Sequence, residues 1–221
     1  MVKTGTIQDI FNIIAMLASL APAMIILFRR AWQSDVLNFL MVFSLLSFMH
    51  LLLTGLLPVT QPGYAFTHAA FSLGEFILLL FLLRPNSKLK WMRDLFYIFS
   101  IAFLSVIITV YALMGANASA GTVQVLQNLI ILTAAIYGIL QLLKTEQVFI
   151  FQQPLFWIII GAIAFSCMEL LLSVIPSAKP GELAIMQALV VTVRSLFFIV
   201  AAGTKMKNPA VKTTGFNEFR F

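Results

Sequence analysis

Charge is what this sequence has least of. Only 10% of its 221 residues are Asp, Glu, Lys or Arg, against about 25% in a soluble domain. That deficit excludes an ordinary water-facing surface. Cysteine is almost missing too: Cys167 stands alone, which excludes an internal disulfide and leaves the redox compartment open. No short metal-binding spacing such as HExxH occurs. No nucleophile has a base at a telling distance, and Ser166 or Ser173 near Glu169 is too generic to count. The balance of charge is basic, +6 net. The positive residues fall between apolar runs, where they set membrane orientation, so no nucleic-acid partner is expected.

What remains is apolar: 61% of residues are hydrophobic and the mean hydropathy is +1.02. Seven stretches are long enough to cross a bilayer: 9–29, 36–57, 65–83, 95–115, 123–143, 155–175 and 183–203. The expected fold is all-α, a polytopic membrane protein with seven transmembrane helices over 1–203 and a short basic, aromatic cytoplasmic tail over 204–221. Gly115 to Thr122 reads as a small polar loop. Alternate connections differ in charge. One side carries Arg29, Arg30, Arg84, Lys88, Lys90, Arg93, Lys144, Lys205, Lys207, Lys212 and Arg220; the other has only Lys3 and Lys179. The excess of positive charge belongs in the cytoplasm, which puts the N-terminus out and the C-terminus in, at a bacterial inner membrane. The first span is expected to be retained, because its arginine pair follows the apolar run, whereas a signal peptide is basic before it.

Lesser features fit a bundle. Pro22 is expected to kink the first helix. Ala134, Ala135 and Gly138, with Gly161, Ala162 and Ala164, allow close contact of the fifth and sixth helices. Trp32, Trp91 and Trp157 fall at the expected cytoplasmic interface as an aromatic belt. The tail, with Phe216, Phe219 and Phe221 beside Lys212 and Arg220, is expected to anchor at the headgroups or to dock a partner. No internal repeat links the first three helices to the last three.

Five ionisable residues interrupt the spans: His50, His68, Glu75, Glu169 and Arg194. A charge at membrane depth costs roughly 2.5 kcal/mol or more, so such residues face a protein interior or a water-filled cavity. At a rise of about 1.5 Å per residue, His50 lies about 10 Å below the outer surface, Glu169 about 9 Å, Glu75 about 15 Å and Arg194 about 16 Å, with His68 near the surface. Gln124, Gln127 and Asn128 sit at similar outer depths. Helical phase puts His68, Ser72 and Glu75 on one face, and likewise Ser47, His50 and Thr54; Ser166, Glu169 and Ser173; and Gln187 with Arg194. The expected site is an outward-facing polar pocket built on Glu75, Glu169 and Arg194, with His50 and His68 above them and Gln127, Asn128 and Gln187 nearby.

Several chemistries suit these residues. Arg194 is always protonated and needs a carboxylate, Glu75 first and Glu169 next by depth. A purely structural Arg194–Glu75 pair competes with a functional one that opens for an anionic ligand or a proton. Paired apolar residues are often as stable as a buried ion pair, which weighs against a role in packing alone. Histidine titrates near neutrality, so the cluster can sense or relay protons. A metal held by His50, His68, Glu75 and Glu169 has acceptable ligand types without any diagnostic spacing, and a haem between the two histidines suffers from their unequal depths.

The run Gln153-Pro154-Leu155-Phe156-Trp157-Ile158 followed by Gly161, with the closing Arg194-Ser195-Leu196-Phe197-Phe198, resembles the end of the seven-helix membrane modules of Bacteroidota sensor proteins, often the N-terminal parts of histidine kinases. The motif covers about thirty residues, the helix pattern the whole chain, and a kinase domain after the last helix is not expected. The resemblance implies a sensory role with the signal passing to another protein. Seven helices also resemble microbial rhodopsins, but Arg194 stands at the depth where retinal needs a lysine, so no pigment is expected.

The sequence therefore reads as a sensory or accessory protein that binds a small ligand or responds to protons and acts on a protein partner or as a homo-oligomer in the lipid bilayer. A transporter or channel subunit that uses the buried acids as a relay is the second reading, and an intramembrane metal-dependent enzyme the third. A non-enzymatic role is favoured. No cofactor is identified by the residues.

Overall fold

Where no water reaches the backbone, a segment must close its own hydrogen bonds, and a helix does so within one run of chain. The computed structural model follows this rule. It describes residues 4–29, 34–57, 62–83, 90–144, 150–174 and 180–204. Among them all regular structure is helical: α1 (Thr4–Phe28), α2 (Asp35–Leu56), α3 (Pro62–Leu82), α4 (Lys90–Met114), α5 (Ala116–Lys144), α6 (Pro154–Val174) and α7 (Pro180–Gly203), with one 3-10 turn, Ile150–Gln152, before α6. Six of these, α1, α2, α3, α5, α6 and α7, are long and apolar enough to cross a membrane, the mark of an integral membrane protein; α4 carries a shorter apolar stretch, Ile101–Leu113. The tail over 205–221, Trp32 and Lys179 lie outside the described residues.

The expected polar loop after the fourth span is nearly absent. Helix resumes at Ala116, and the turn is made by Gly115 alone, at φ 76°. A Cβ in that left-handed region costs roughly 1–2 kcal/mol, which glycine avoids. The misreading has a simple cause. Ala116, Ala118 and Ala120 are small, but alanine is the best helix former.

The six membrane-length helices close into a ring in the order α1, α2, α3, α5, α6, α7 and back to α1, while α4 packs outside the ring against α5. Arg29 ties the last seam. Its Nη1 donates to the Ala202 carbonyl at 2.7 Å and more weakly to Thr204 at 3.5 Å, so α1 and α7 run in the same direction. Pairs at two levels make α3 and α5 parallel to α7 as well. α3 runs against α2 (Phe39 with Phe81, His50 with Glu75) and α2 against α7 (Phe43 with Phe198, Ser47 with Arg194). Likewise α5 runs against α6 (Gln124 with Glu169, Gly138 beside Ile159) and α6 against α7 (Trp157 with Phe197, Leu172 near Leu183).

Large apolar side chains line the outside: Ile13 and Leu17 on α1, Phe66 on α3, Leu113 on α4, Leu171 on α6. Polar groups line the inside: Ser47, Gln127, Asn128, Ser166, Glu169 and Arg194 are all buried. A water-soluble protein has the reverse distribution. Along each ring helix except α1, the buried face changes character at one level. Toward the end that holds Arg29 and Thr204 it is apolar: Leu37 and Leu40, Leu79 and Leu83, Ala135 and Leu142, Ile158 and Ile159, Phe198 and Ala201. Toward the other end it carries the polar residues. Close packing in the apolar half uses the small residues. A Cβ on Gly161 would stand 2.9 Å from the Phe197 Cβ and 3.0 Å from the Phe198 Cε1, and one on Gly138 would meet the Ile159 Cδ1 at 3.2 Å. Pro22 sits inside α1 and is fully buried.

Candidate functional site: a hydrogen-bonded chain and a groove

Three helices meet at Glu75. From α2, three-residue spacing aims Ser47 and His50 across the α2–α3 seam; from α3 come His68 and Glu75; from α7 comes Arg194. The side chains join end to end. His68 Nδ1 is 2.9 Å from His50 Nε2, and His50 Nδ1 is 2.7 Å from Glu75 Oε1. Arg194 donates from Nη1 to Glu75 Oε2 at 3.1 Å and from Nη2 to Ser47 Oγ at 3.1 Å. His68 is exposed and Arg194 is 3% exposed, so the chain runs from the surface to the floor of the polar half.

Donor roles follow from the charges. A carboxylate paired with arginine only accepts, so His50 Nδ1 carries the proton toward Glu75. One proton then sits between the two imidazoles. Either neutral His50 accepts it from His68, or protonated His50 donates it. Both nitrogens of His50 are occupied in either case.

Aromatic rings build the walls. The Arg194 guanidinium lies 4.9 Å from the Phe43 ring centre and 4.6 Å from that of Phe165, cation–π distances. His50 stacks on Phe71 with centroids 5.6 Å apart, and His68 on Tyr64 at 6.1 Å. These four rings were not anticipated among twenty-one phenylalanines and four tyrosines. A signal existed: each precedes a polar site residue by four positions, Tyr64 before His68, Phe71 before Glu75, Phe43 before Ser47 and Phe165 before Glu169, one helical turn away.

Glu169 belongs to a second, adjoining feature. Gln124 donates from Nε2 to Glu169 Oε2 at 2.6 Å. The two line a groove of about 500 Å³ between α5, α6 and α7, with Asn128, Gln187, Leu172 and Leu183. Glu169 remains within electrostatic reach of Arg194 and Glu75, but among the described residues no cation pairs with it directly. The expected single pocket is thus two neighbours that share Arg194: His50, His68 and Glu75 on one side; Glu169, Asn128 and Gln187 on the other. Gln127 lies between, accepting from Ser72 Oγ at 3.1 Å. Among the described residues, three buried polar atoms at this level have no hydrogen-bond partner: Arg194 Nε, Gln127 Nε2 and Ser166 Oγ. Two expected members spend their hydroxyl protons within their own helices: Thr54 and Ser173 donate to the carbonyls of His50 and Leu170, each at 2.7 Å, although Ser173 still lines the groove.

Among the described residues no three His, Cys, Asp or Glu converge on an ion position, and the histidines, despite unequal depths, bond to each other. Comparison with protein-family models, curated proteins and solved structures gives no match, so the chemistry of these residues carries the functional reading by itself.

Proposed function

We propose that this chain is a sensory or accessory protein of a bacterial inner membrane, with seven spanning helices, N-terminus out and C-terminus in, whose outward-facing polar half responds to protons or a small ligand and acts on a partner. Connectivity supports the seventh span: with α3 and α5 parallel, a return across the bundle between them fits α4, which at 25 residues and about 1.5 Å each is long enough. The positive side chains at the Arg29 and Lys144 end make that end cytoplasmic. The resemblance to seven-helix sensor modules fits this reading.

The observation that carries the proposal is the unbroken chain from exposed His68 to buried Arg194. Glu75 is shared by His50 and Arg194. A proton added to the histidine pair sets two cations against one carboxylate and loosens its hold on Arg194. Glu169, within reach on α6, then takes the guanidinium. Among the described residues, Glu75 and His68 touch His50, with Arg194 behind Glu75 and Tyr64 behind His68. The seam of α7 against α2 and α3 is the two-state element, and the protein acts by passing its shift to a partner or a second copy. The buried face below Arg194 carries few polar groups, Asn38 and Ser44 on α2 and Tyr137 and Gln141 on α5 among them, which weighs against a continuous transport path.

The test places spin labels at Leu56→Cys on α2 and Glu182→Cys on α7 in a Cys167→Ser background, in nanodiscs. The distance distribution should change between pH 7.5 and pH 5.5, and His50→Ala should abolish the change. A distribution that ignores pH in the parent, or substrate or ion flux by the isolated protein in liposomes, refutes the reading.

A further inference from the structure

The buried polar cluster brings two acids, Glu75 and Glu169, to one arginine, Arg194, beside the histidine pair. Both oxygens of Glu75 are engaged, by His50 and Arg194. Glu169 is 6% exposed, and among the described residues its direct partner is the neutral amide of Gln124, on Oε2. A buried carboxylate without a counter-ion is expensive in a bilayer. The groove it lines offers Gln124, Asn128 and Gln187 as further polar contacts and Leu172 and Leu183 as apolar wall. A mixed lining with one fixed charge is the pattern of a small-molecule site.

We infer that the α5–α6–α7 groove is a binding site for an organic ammonium, a primary amine on a short apolar body, with Glu169 as its counter-ion. The ammonium hydrogens bond the carboxylate and the flanking amide oxygens, and the body lies on the leucines. A free amine and an ethanolamine lipid headgroup present the same group. The site rests on the reading of a membrane bundle with an outward polar half, but it does not depend on the histidine chain.

The probe is butylammonium, with butanol and butyrate as neutral and anionic controls, binding to protein in phosphatidylcholine nanodiscs read by calorimetry. Butylammonium alone should give saturable one-to-one binding. Glu169→Gln should weaken it about ten- to hundredfold, the range of one charge-assisted hydrogen bond. Leu183→Trp, which fills the groove and keeps the charge, should block it, and this variant serves if Glu169→Gln does not fold. Repeating the titration in phosphatidylethanolamine nanodiscs separates the sources: weaker apparent binding there marks the lipid headgroup as occupant, and unchanged binding marks a free amine. Equal binding of butanol, or butylammonium binding unaffected by both substitutions, overturns the site. A failed pH response in the spin-label experiment with amine binding intact overturns only the proton switch.

Discussion

Replacing Glu75 with leucine should destabilise the bundle by about 3 kcal/mol. The substitution removes one carboxylate and strands two donors, Arg194 Nη1 and His50 Nδ1. Charges about 4 Å apart attract by roughly 4 kcal/mol at an effective dielectric of 20, and breaking one side of a buried pair costs about 3–5 kcal/mol. Three features keep the loss at the lower end. Arg194 retains Ser47 at 3.1 Å, it retains two aromatic faces, and Glu169 lies within reach. The unfolded chain in a membrane also finds partners, which lowers the measured worth of neutral interhelical bonds to about 0.6 kcal/mol; a full charge suffers less from this. Arg194→Leu should cost a similar amount, and the double variant hardly more than either single one, because it leaves no unpaired buried charge. Unfolding in mixed micelles of rising denaturing detergent would give the cycle, with an expected coupling of at least about 2 kcal/mol. Single variants within about 0.5 kcal/mol of the parent, or strictly additive losses, would refute the claim that this pair holds α7 to α3.

The remaining predictions concern packing, capping and topology. Gly161→Val should cost about 1–3 kcal/mol because its Cβ lands on Phe197 and Phe198, whereas Gly55→Ala, with nothing within 4 Å, should be neutral or stabilising by up to about 1 kcal/mol; the same detergent titration reads both. Arg29→Ala should free the Ala202 carbonyl and cost about 1 kcal/mol, visible as faster hydrogen exchange confined to the last turn of α7. Cysteines placed at Thr122 and at Lys144, in the Cys167→Ser background, should react with a membrane-impermeant maleimide from opposite faces of intact cells, Thr122 from outside; the same face for both would remove the seven-span topology.

Much of the fold was legible because the membrane simplifies the code. Twenty apolar residues have one way to satisfy their backbone, so helices were found by length alone. The ring order was not legible. It depends on which faces interlock, and in a chain where Leu, Ile and Phe fill both the core and the lipid-facing surface, hydropathy does not distinguish them. The polar residues do, since each must turn inward. That is why Ser47, His50, Glu75 and Arg194, picked by phase and depth, meet within hydrogen-bonding distance. The division into a chain and a groove stayed hidden because Glu169 and Glu75 share a depth zone but arrive from helices whose adjacency the sequence does not encode. The aromatic walls were missed because composition counted the phenylalanines rather than placing each one a turn away from a polar partner.

Arg194 stands between two carboxylates, and this makes the two proposed responses opponents. A proton on the histidine pair drives the guanidinium toward Glu169; an ammonium in the groove occupies Glu169 and leaves the guanidinium on Glu75. Linkage is reciprocal: whatever acidification does to amine affinity, the amine does to proton affinity. Butylammonium should therefore bind more weakly at pH 5.5 than at pH 7.5. Protonation of Glu169 itself would give the same sign, so the parent alone does not decide. His50→Ala does, because it interrupts the chain on α2 and leaves the groove on α5, α6 and α7 intact. In that variant amine binding should persist at pH 7.5 and lose most of its pH dependence. A pH dependence that survives His50→Ala undiminished would mean the two features are neighbours without being coupled, and that Arg194 does not move between them.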